Sequence, residues 1–268
     1  MVTLHVGLCL DVHSLAPPGL SRFAGADVVL FPELVDSGYA ALKTGAKPHK
    51  YGDPLLSSFA AASVTLGCYC IAGSIYLQQP PPATSNSSLV FHRGKLVYRY
   101  DKVHLFRPTG DHFYFAPGKR IGTFPLSLPH LNLRAGVVIC YDLRFPEIIR
   151  AMALRGLDVL FVPARWPSVR DEVWQALLKA RAIENQIFVV GCNTLGNEGG
   201  PSYVYDPLGA MVFTNRGVEQ ERTHLLELNI GRIREAQALH HNLDEAVVLR
   251  SAIIPRGVTA RRRSRTAS

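Results

Sequence analysis

Three residues able to act jointly on a carbonyl stand at the ends of short apolar runs. Cys140 follows Ala135 to Ile139 (A-G-V-V-I), a β-branched run that reads as a strand buried on both faces. Glu33 follows Asp27 to Phe31 (D-V-V-L-F) and a proline, and Lys102 follows the run Lys95 to Tyr100. A thiol attacks only as thiolate, and its ordinary pKa near ~8.5 leaves it mostly protonated at neutral pH, so it needs a base or a cation beside it. A carboxylate supplies the base, and an ammonium stabilises charge developing on an oxygen. Taken singly, a cysteine at a strand end is usually a small buried hydrophobe, and a loop glutamate or a strand-end lysine is usually solvated. Three such residues at strand ends form a more specific pattern, because ligands gather at the carboxyl edge of an α/β sheet.

The elements that must position these groups are legible along the 268 residues, of which 47% are hydrophobic, enough for one α/β domain with a substantial core. Strands are expected at Leu4–Leu10, Asp27–Phe31, Cys68–Leu77, Ser88–His92, Lys95–Tyr100, Ala135–Ile139, Leu157–Val162 and Ile187–Asn193, with later ones at Ser202–Tyr205, Ala210–Thr214 and Thr223–Asn229. Arg93-Gly94 suits a tight hairpin. Leu55–Leu66, Glu147–Leu154, Val169–Asn185 and Arg232–Leu239 have helical apolar spacing. Pro146 suits a first helical turn and Gly156 a helical stop. Gln78 to Ser88 reads as a Pro- and Ser-rich surface loop, and Pro17-Pro18-Gly19 allows only a short helix between Asp11 and Ala26. Asp142 and Arg144 read as a local ion pair holding the turn after Cys140.

Composition narrows the function classes. No stretch has the length of a membrane-crossing helix and no export leader is evident, so a soluble, cytoplasmic protein is expected. Five cysteines, an odd count without small-scaffold spacing, fit reduced thiols. Cys68-Tyr69-Cys70 lacks a nearby histidine or second pair, which argues against a metal. Most of the formal charge of +8 comes from Arg256, Arg261, Arg262, Arg263 and Arg265. Residues 1–255 are therefore expected to form the domain and 256–268 a basic, disordered tail. No basic stripe interleaved with aromatics appears, so neither nucleic acid nor membrane is expected as a partner.

The sequence resembles the nitrilase, or carbon–nitrogen hydrolase, superfamily. The resemblance rests on F-P-E-L with Glu33, Y-D-K-V-H-L-F with Lys102, G-V-V-I-C-Y-D-L-R-F-P-E with Cys140, A-R-A-I-E-N-Q (Ala180 to Gln186) and D-P-L-G at Asp206, and it spans roughly residues 4 to 250. It implies a single-domain α/β protein, a four-layer αββα sandwich commonly paired into a homodimer. It also implies a Glu33–Lys102–Cys140 triad and no metal or organic cofactor. Trp166 to Gln186 looks most like the ω-amidase branch, whose members hydrolyse the terminal amide of small dicarboxylate monoamides. Three departures stand out: Asp111 occupies the place of a second glutamate, Arg165 replaces a common asparagine, and the helix after the first strand is nearly absent.

The roles that follow are concrete. Glu33 is the general base, Lys102 and the Tyr141 backbone N–H form the oxyanion hole, and Cys140 carries a thioester as ammonia leaves. Asp111 supports Lys102, across a side chain one methylene shorter than the family's. Tyr39, Arg144, Arg165 and Trp166 are the expected substrate-binding residues. Arg165 either pairs with a substrate carboxylate or stacks on Trp166. Two alternatives stand beside a small-amide hydrolase: an N-carbamoyl amidohydrolase, and a pseudoenzyme serving as a dimeric scaffold.

Overall fold

The computed structural model describes residues 2–11, 17–80, 83–218 and 220–246. The expected basic tail, and the boundary before it, lie outside the described residues. Two six-stranded sheets form the centre. One comprises β1 (Thr3–Cys9), β2 (Val28–Leu30), β3 (Tyr69–Gln78), β4 (Thr84–His92), β5 (Lys95–Asp101) and β12 (Thr223–Asn229), in the order β12-β1-β2-β3-β4-β5. The other comprises β6 (Thr123–Leu128), β7 (Leu131–Val137), β8 (Val159–Ala164), β9 (Phe188–Asn193), β10 (Tyr203–Tyr205) and β11 (Met211–Thr214), in the order β11-β10-β9-β8-β7-β6. Within each sheet three central strands run parallel, β1-β2-β3 and β7-β8-β9, and antiparallel strands flank them. Central strands of one sense send several carboxyl ends to one edge, where a site can assemble.

The helices are α1 (Pro17–Leu20), α2 (Gly38–Lys43), α3 (Pro54–Thr65), α4 (Asp111–Tyr114), α5 (Pro146–Ala153), α6 (Asp171–Asn185), α7 (Gly231–Leu239) and α8 (Asn242–Glu245). The period-two alternation of the strands decides the layering. Val6, Leu8, Leu30 and Ile71 share a buried cluster with Val137, Phe161 and Val190, which joins the two sheets face to face. The alternate residues Val29, Cys70, Leu89 and Phe91 pack with Leu56, Phe59 and Ala62 of α3 on the opposite face. On the far side, Gly191 of β9 leaves room for Trp174 and Leu178 of α6; a Cβ there would meet them at 2.8 and 2.7 Å. The result is the four-layer αββα sandwich. Each fully buried Leu, Val or Phe contributes about 1.5–3 kcal/mol. Among the described residues, no helix is long and apolar enough to cross a membrane.

Most elements lie within two residues of their expected bounds. Arg93 and Gly94 both take positive φ, 49° and 78°, as the tight hairpin between β4 and β5 requires. The main correction concerns Gln78 to Ser88. There β4 begins at Thr84, and Ser85, Asn86, Ser87 and Ser88 are all buried. Three of these polar side chains bond inward: the Ser85 and Ser87 hydroxyls share a bond, Ser87 donates to Asp101, and Asn86 donates to Glu33, whereas the Ser88 hydroxyl has no partner among the described residues.

Candidate active site

Glu33 stands three residues beyond β2, in a turn shaped by an unusual backbone. Leu34 takes a φ of 43°, a left-handed conformation that a branched side chain enters only when its surroundings impose it. Ser74 imposes it from β3: its hydroxyl accepts the Leu34 N–H at 2.9 Å, its carbonyl accepts the Val35 N–H at 3.1 Å, and its own N–H donates to Pro32 O at 3.2 Å. Gly73 permits this approach, since a Cβ would lie 2.0 Å from Pro32 O. The Glu33 carboxylate is fully buried and accepts four hydrogen bonds. Oε1 receives Lys102 Nζ at 2.8 Å, Asn86 Nδ2 at 2.9 Å and the Tyr39 hydroxyl at 3.1 Å; Oε2 receives the Arg165 N–H at 3.1 Å.

Lys102 follows β5 directly and is buried between two carboxylates, with Nζ 2.8 Å from Glu33 Oε1 and 2.8 Å from Asp111 Oδ2. Its third contact is longer, 3.3 Å to the Tyr39 hydroxyl. Burial alone would push the ammonium pKa down, but Glu33, Tyr39 and Asp111 hold it well above its ordinary value, so the charge persists. The short side chain of Asp111 does reach Lys102. Gly110, at φ 84°, swings the chain back so that Asp111 opens α4, and Phe106 N–H and Thr109 Oγ1 fix its carboxylate at 2.9 and 2.7 Å. Burial, then the neighbouring Glu33, raises the pKa of Tyr39 and keeps its phenol as a donor.

Cys140 sits where the chain leaves β7, at φ 47°. Asp142, fully buried, holds this elbow: Oδ2 accepts the Ile139 N–H at 3.2 Å and the Tyr100 hydroxyl at 2.8 Å, while Oδ1 accepts the His104 N–H at 2.8 Å. From α6, Arg181 donates twice to Leu143 O, at 3.1 and 2.9 Å. The thiol points at Arg165 O, 3.8 Å away. Burial, then Glu33, pushes its pKa well up against the opposing pull of Lys102. The resting sulfur is therefore a neutral thiol, and a base must take its proton when it attacks.

Two expectations are corrected here. Asp142 makes no ion pair with Arg144, because its carboxylate is spent on donors from Ile139, Tyr100 and His104. Arg144 is instead exposed, with its guanidinium over the Trp166 ring at 5.2 Å. Arg165 neither stacks on Trp166 nor faces open space. Its Nε donates to Glu33 O at 2.8 Å, Nη2 to Leu34 O at 2.8 Å and Nη1 to Glu198 Oε2 at 2.9 Å. The left-handed turn at Leu34 presents those two carbonyls together, and the planar fork matches them. Trp166 is buried, stacks on Trp174, and has its indole N–H on Arg170 O at 3.0 Å, so it can wall a pocket but its donor is already used. Asn86 and Glu198 escaped the sequence reading. The first lies in a Ser-rich run without apolar alternation, and the second in a glycine-flanked loop.

A side-chain clasp holds the far end of the Glu33 turn. His49 Nε2 lies 2.9 Å from Asp36 Oδ2, and Nδ1 lies 3.4 Å from Asp53 Oδ2. The hydrogen bond to Asp36 is the largest influence and, against burial, raises the imidazole pKa. A raised pKa contributes stability that is complete below the unfolded value of about 6.5 and is lost as pH rises through the folded value. His49→Gln is therefore expected to lower Tm more at about pH 6 than at about pH 9. Equal losses measured at both would contradict the charged clasp.

Comparison with known proteins shows the family. The carbon-nitrogen hydrolase family model matches residues 12–238. The chain is 33% identical over 192 residues to 2-oxoglutaramate amidase of Bacillus subtilis, covering 70% of this chain and 73% of the relative. It is 33% identical over 222 residues to omega-amidase YafV of Escherichia coli, covering 81% and 82%. Among solved structures, XC1258 of Xanthomonas campestris, a CN-hydrolase superfamily protein with an arsenic adduct in its active site, superposes with a TM-score of 0.78 at 28% identity, covering 91% of this chain and 97% of that one. With its two sheets, elbow cysteine and buried Glu–Lys pair, the chain belongs to the carbon–nitrogen hydrolases of the nitrilase superfamily, close to the ω-amidases.

Proposed function

We propose that the protein hydrolyses the terminal amide of a small, carboxylate-bearing molecule through a thioester on Cys140, releasing ammonia. The observation that carries this reading is the buried Glu33 carboxylate, held by four donors beside both Lys102 and a neutral Cys140 thiol. Glu33 takes the thiol proton as Sγ attacks the amide carbon, and the carbonyl electron pair moves onto oxygen. The Tyr141 N–H and Lys102 meet that oxyanion. Two Lys102 donors are fixed on carboxylates at 2.8 Å, which leaves the one on the 3.3 Å Tyr39 contact to turn toward the substrate. Protonated Glu33 then delivers its proton to nitrogen, the C–N bond breaks and ammonia leaves. Water gives a proton to Glu33 while its oxygen attacks the thioester, and Cys140 recovers its proton as the acid departs. Every step uses the chain's own groups.

For the substrate carboxylate we assign Arg144, whose exposed guanidinium lies over Trp166, four residues along from the nucleophile. Trp166 and Tyr39 complete the binding surface. The names of the relatives, 2-oxoglutaramate amidase and omega-amidase, support the same substrate class. Five free, buried cysteines support a reducing compartment such as the cytoplasm. An exposed apolar stripe along and just before α6, with Val169, Val173 and Ile183, supports pairing with a second copy.

The test is ammonia release across 2-oxoglutaramate, succinamate, a neutral amide, N-carbamoyl amino acids and nitriles. Preferential release from the two dicarboxylate monoamides is expected, with Arg144→Ala raising KM on those substrates about tenfold or more while sparing the neutral amide. Preference for carbamoyl substrates would overturn the specificity and keep the chemistry. Silence throughout, with an unreactive Cys140, would favour a scaffold.

A further inference from the structure

We propose that Arg165 and Glu198 form a positioning brace that sets the Glu33 carboxylate against Cys140, and that neither residue binds substrate. This inference rests on the amide-hydrolase reading above. Arg165 is the first residue past β8, and it meets the catalytic groups through its backbone and its side chain at once. Its N–H donates to Glu33 Oε2 at 3.1 Å and its carbonyl faces the Cys140 thiol at 3.8 Å. Its Nε and Nη2 each hold a carbonyl at 2.8 Å, those of Glu33 and Leu34. Two parallel bonds from one planar group fix the orientation of the peptide that carries the base, which a single flexible ammonium would not do. That peptide needs fixing, because Leu34 is held at a φ of 43°.

Glu198, in the loop between β9 and β10, anchors the brace from outside. Its carboxylate takes Arg165 Nη1 at 2.9 Å and also the first free N–H groups of α2, from Tyr39 at 3.1 Å and Ala40 at 3.0 Å. Those N–H groups lack intrahelical partners, so a carboxylate there is favoured by both hydrogen bonding and the helix dipole. Gly38 makes the approach possible: a Cβ would stand 2.9 Å from Glu198 Oε2 and 3.0 Å from Arg165 Nη1. Tyr39, set at the start of α2 by this contact, is the same tyrosine that donates to Glu33 Oε1. One acid and one guanidinium thus connect the backbone of the base, the tyrosine on its carboxylate and the carbonyl facing the nucleophile. All three guanidinium nitrogens have internal acceptors and the charge is paired, which leaves little with which to hold a substrate carboxylate.

The experiment compares Arg165→Met, Arg165→Lys, Glu198→Gln and the Arg165→Met/Glu198→Gln double variant on succinamate and on butyramide, a neutral amide of matching length. The brace predicts that Arg165→Met lowers kcat about a hundredfold on both substrates with KM within about twofold. Arg165→Lys should recover part of the loss, Glu198→Gln should cost about tenfold, and in the Arg165→Met background the same change should cost clearly less than tenfold, since one of the two Glu198 arms runs through Arg165. A KM increase confined to succinamate would make Arg165 a substrate ligand, and an unchanged kcat would remove the brace. Alkylation of Cys140 by iodoacetamide, read by peptide mass, gives an answer independent of turnover. It should slow in Arg165→Met; equal rates in wild type and variant would overturn the brace. A wild-type Cys140 no more reactive than the other four cysteines would overturn the hydrolase reading and the brace with it. Should Arg165→Met fail to fold, Glu198→Gln carries the same comparison.

Discussion

Cys140→Ala is expected to reduce amide turnover to background, a loss on the order of 10⁴- to 10⁶-fold in kcat. Removal of the nucleophile leaves no group on the elbow that can form a covalent intermediate, and Glu33 with Lys102 cannot substitute for it. Both are already bonded to one another and to Asp111, Asn86 and Tyr39. The fold should survive: alanine replaces one small buried side chain, and the Asp142 bonds to Ile139, Tyr100 and His104 that hold the positive-φ elbow do not involve the sulfur. A Tm within a few degrees of wild type, corresponding to about 1 kcal/mol, would establish that the loss is chemical. Retention of turnover would remove Cys140 from the reaction.

Lys102→Met is expected to damage both rate and stability. The lysine neutralises two carboxylates that have no exposure, and its removal leaves Glu33 and Asp111 facing one another unpaired. Breaking a buried ion pair by deleting one partner typically costs about 3–5 kcal/mol, which denaturant unfolding at neutral pH would register. On the kinetic side, loss of an oxyanion donor lowers kcat by about 10²- to 10³-fold. A near-normal kcat in a folded Lys102→Met protein would take lysine out of the oxyanion role, and an unchanged unfolding midpoint would contradict the buried-pair account.

How much of this was legible in the sequence depended on whether a residue's role was local. The apolar runs before Glu33, Lys102 and Cys140 announce strands, so the strand-end placement could be read directly, whereas the four layers came from the family resemblance. Asn86 could not. It lies in a run of serines whose inward bonding is visible only once β5 and Asp101 stand beside it. Arg144, and not Arg165, lies over Trp166 for a similar reason. A sequence shows two arginines near a tryptophan, but the left-handed turn at Leu34 that captures Arg165 is created by Ser74 and Gly73, about forty residues from the turn. The Asp142–Arg144 pairing failed because the Ile139 N–H together with Tyr100 and His104, from a distant part of the chain, draws the carboxylate inward. Asp111 is the instructive opposite: the shorter side chain looked like a deficit, and the turn through Gly110 brings its carboxylate to 2.8 Å from Lys102.

The central claim is that Cys140 carries the acyl group between loss of ammonia and attack of water. Acid quench during turnover of succinamate, followed by peptide mass analysis, tests it directly. The mechanism predicts a succinyl increment on the peptide containing Cys140, discharged by hydroxylamine as a thioester is, and absent from Cys140→Ala. Steady ammonia release in which Cys140 is never acylated, or release that persists in Cys140→Ala, would contradict it.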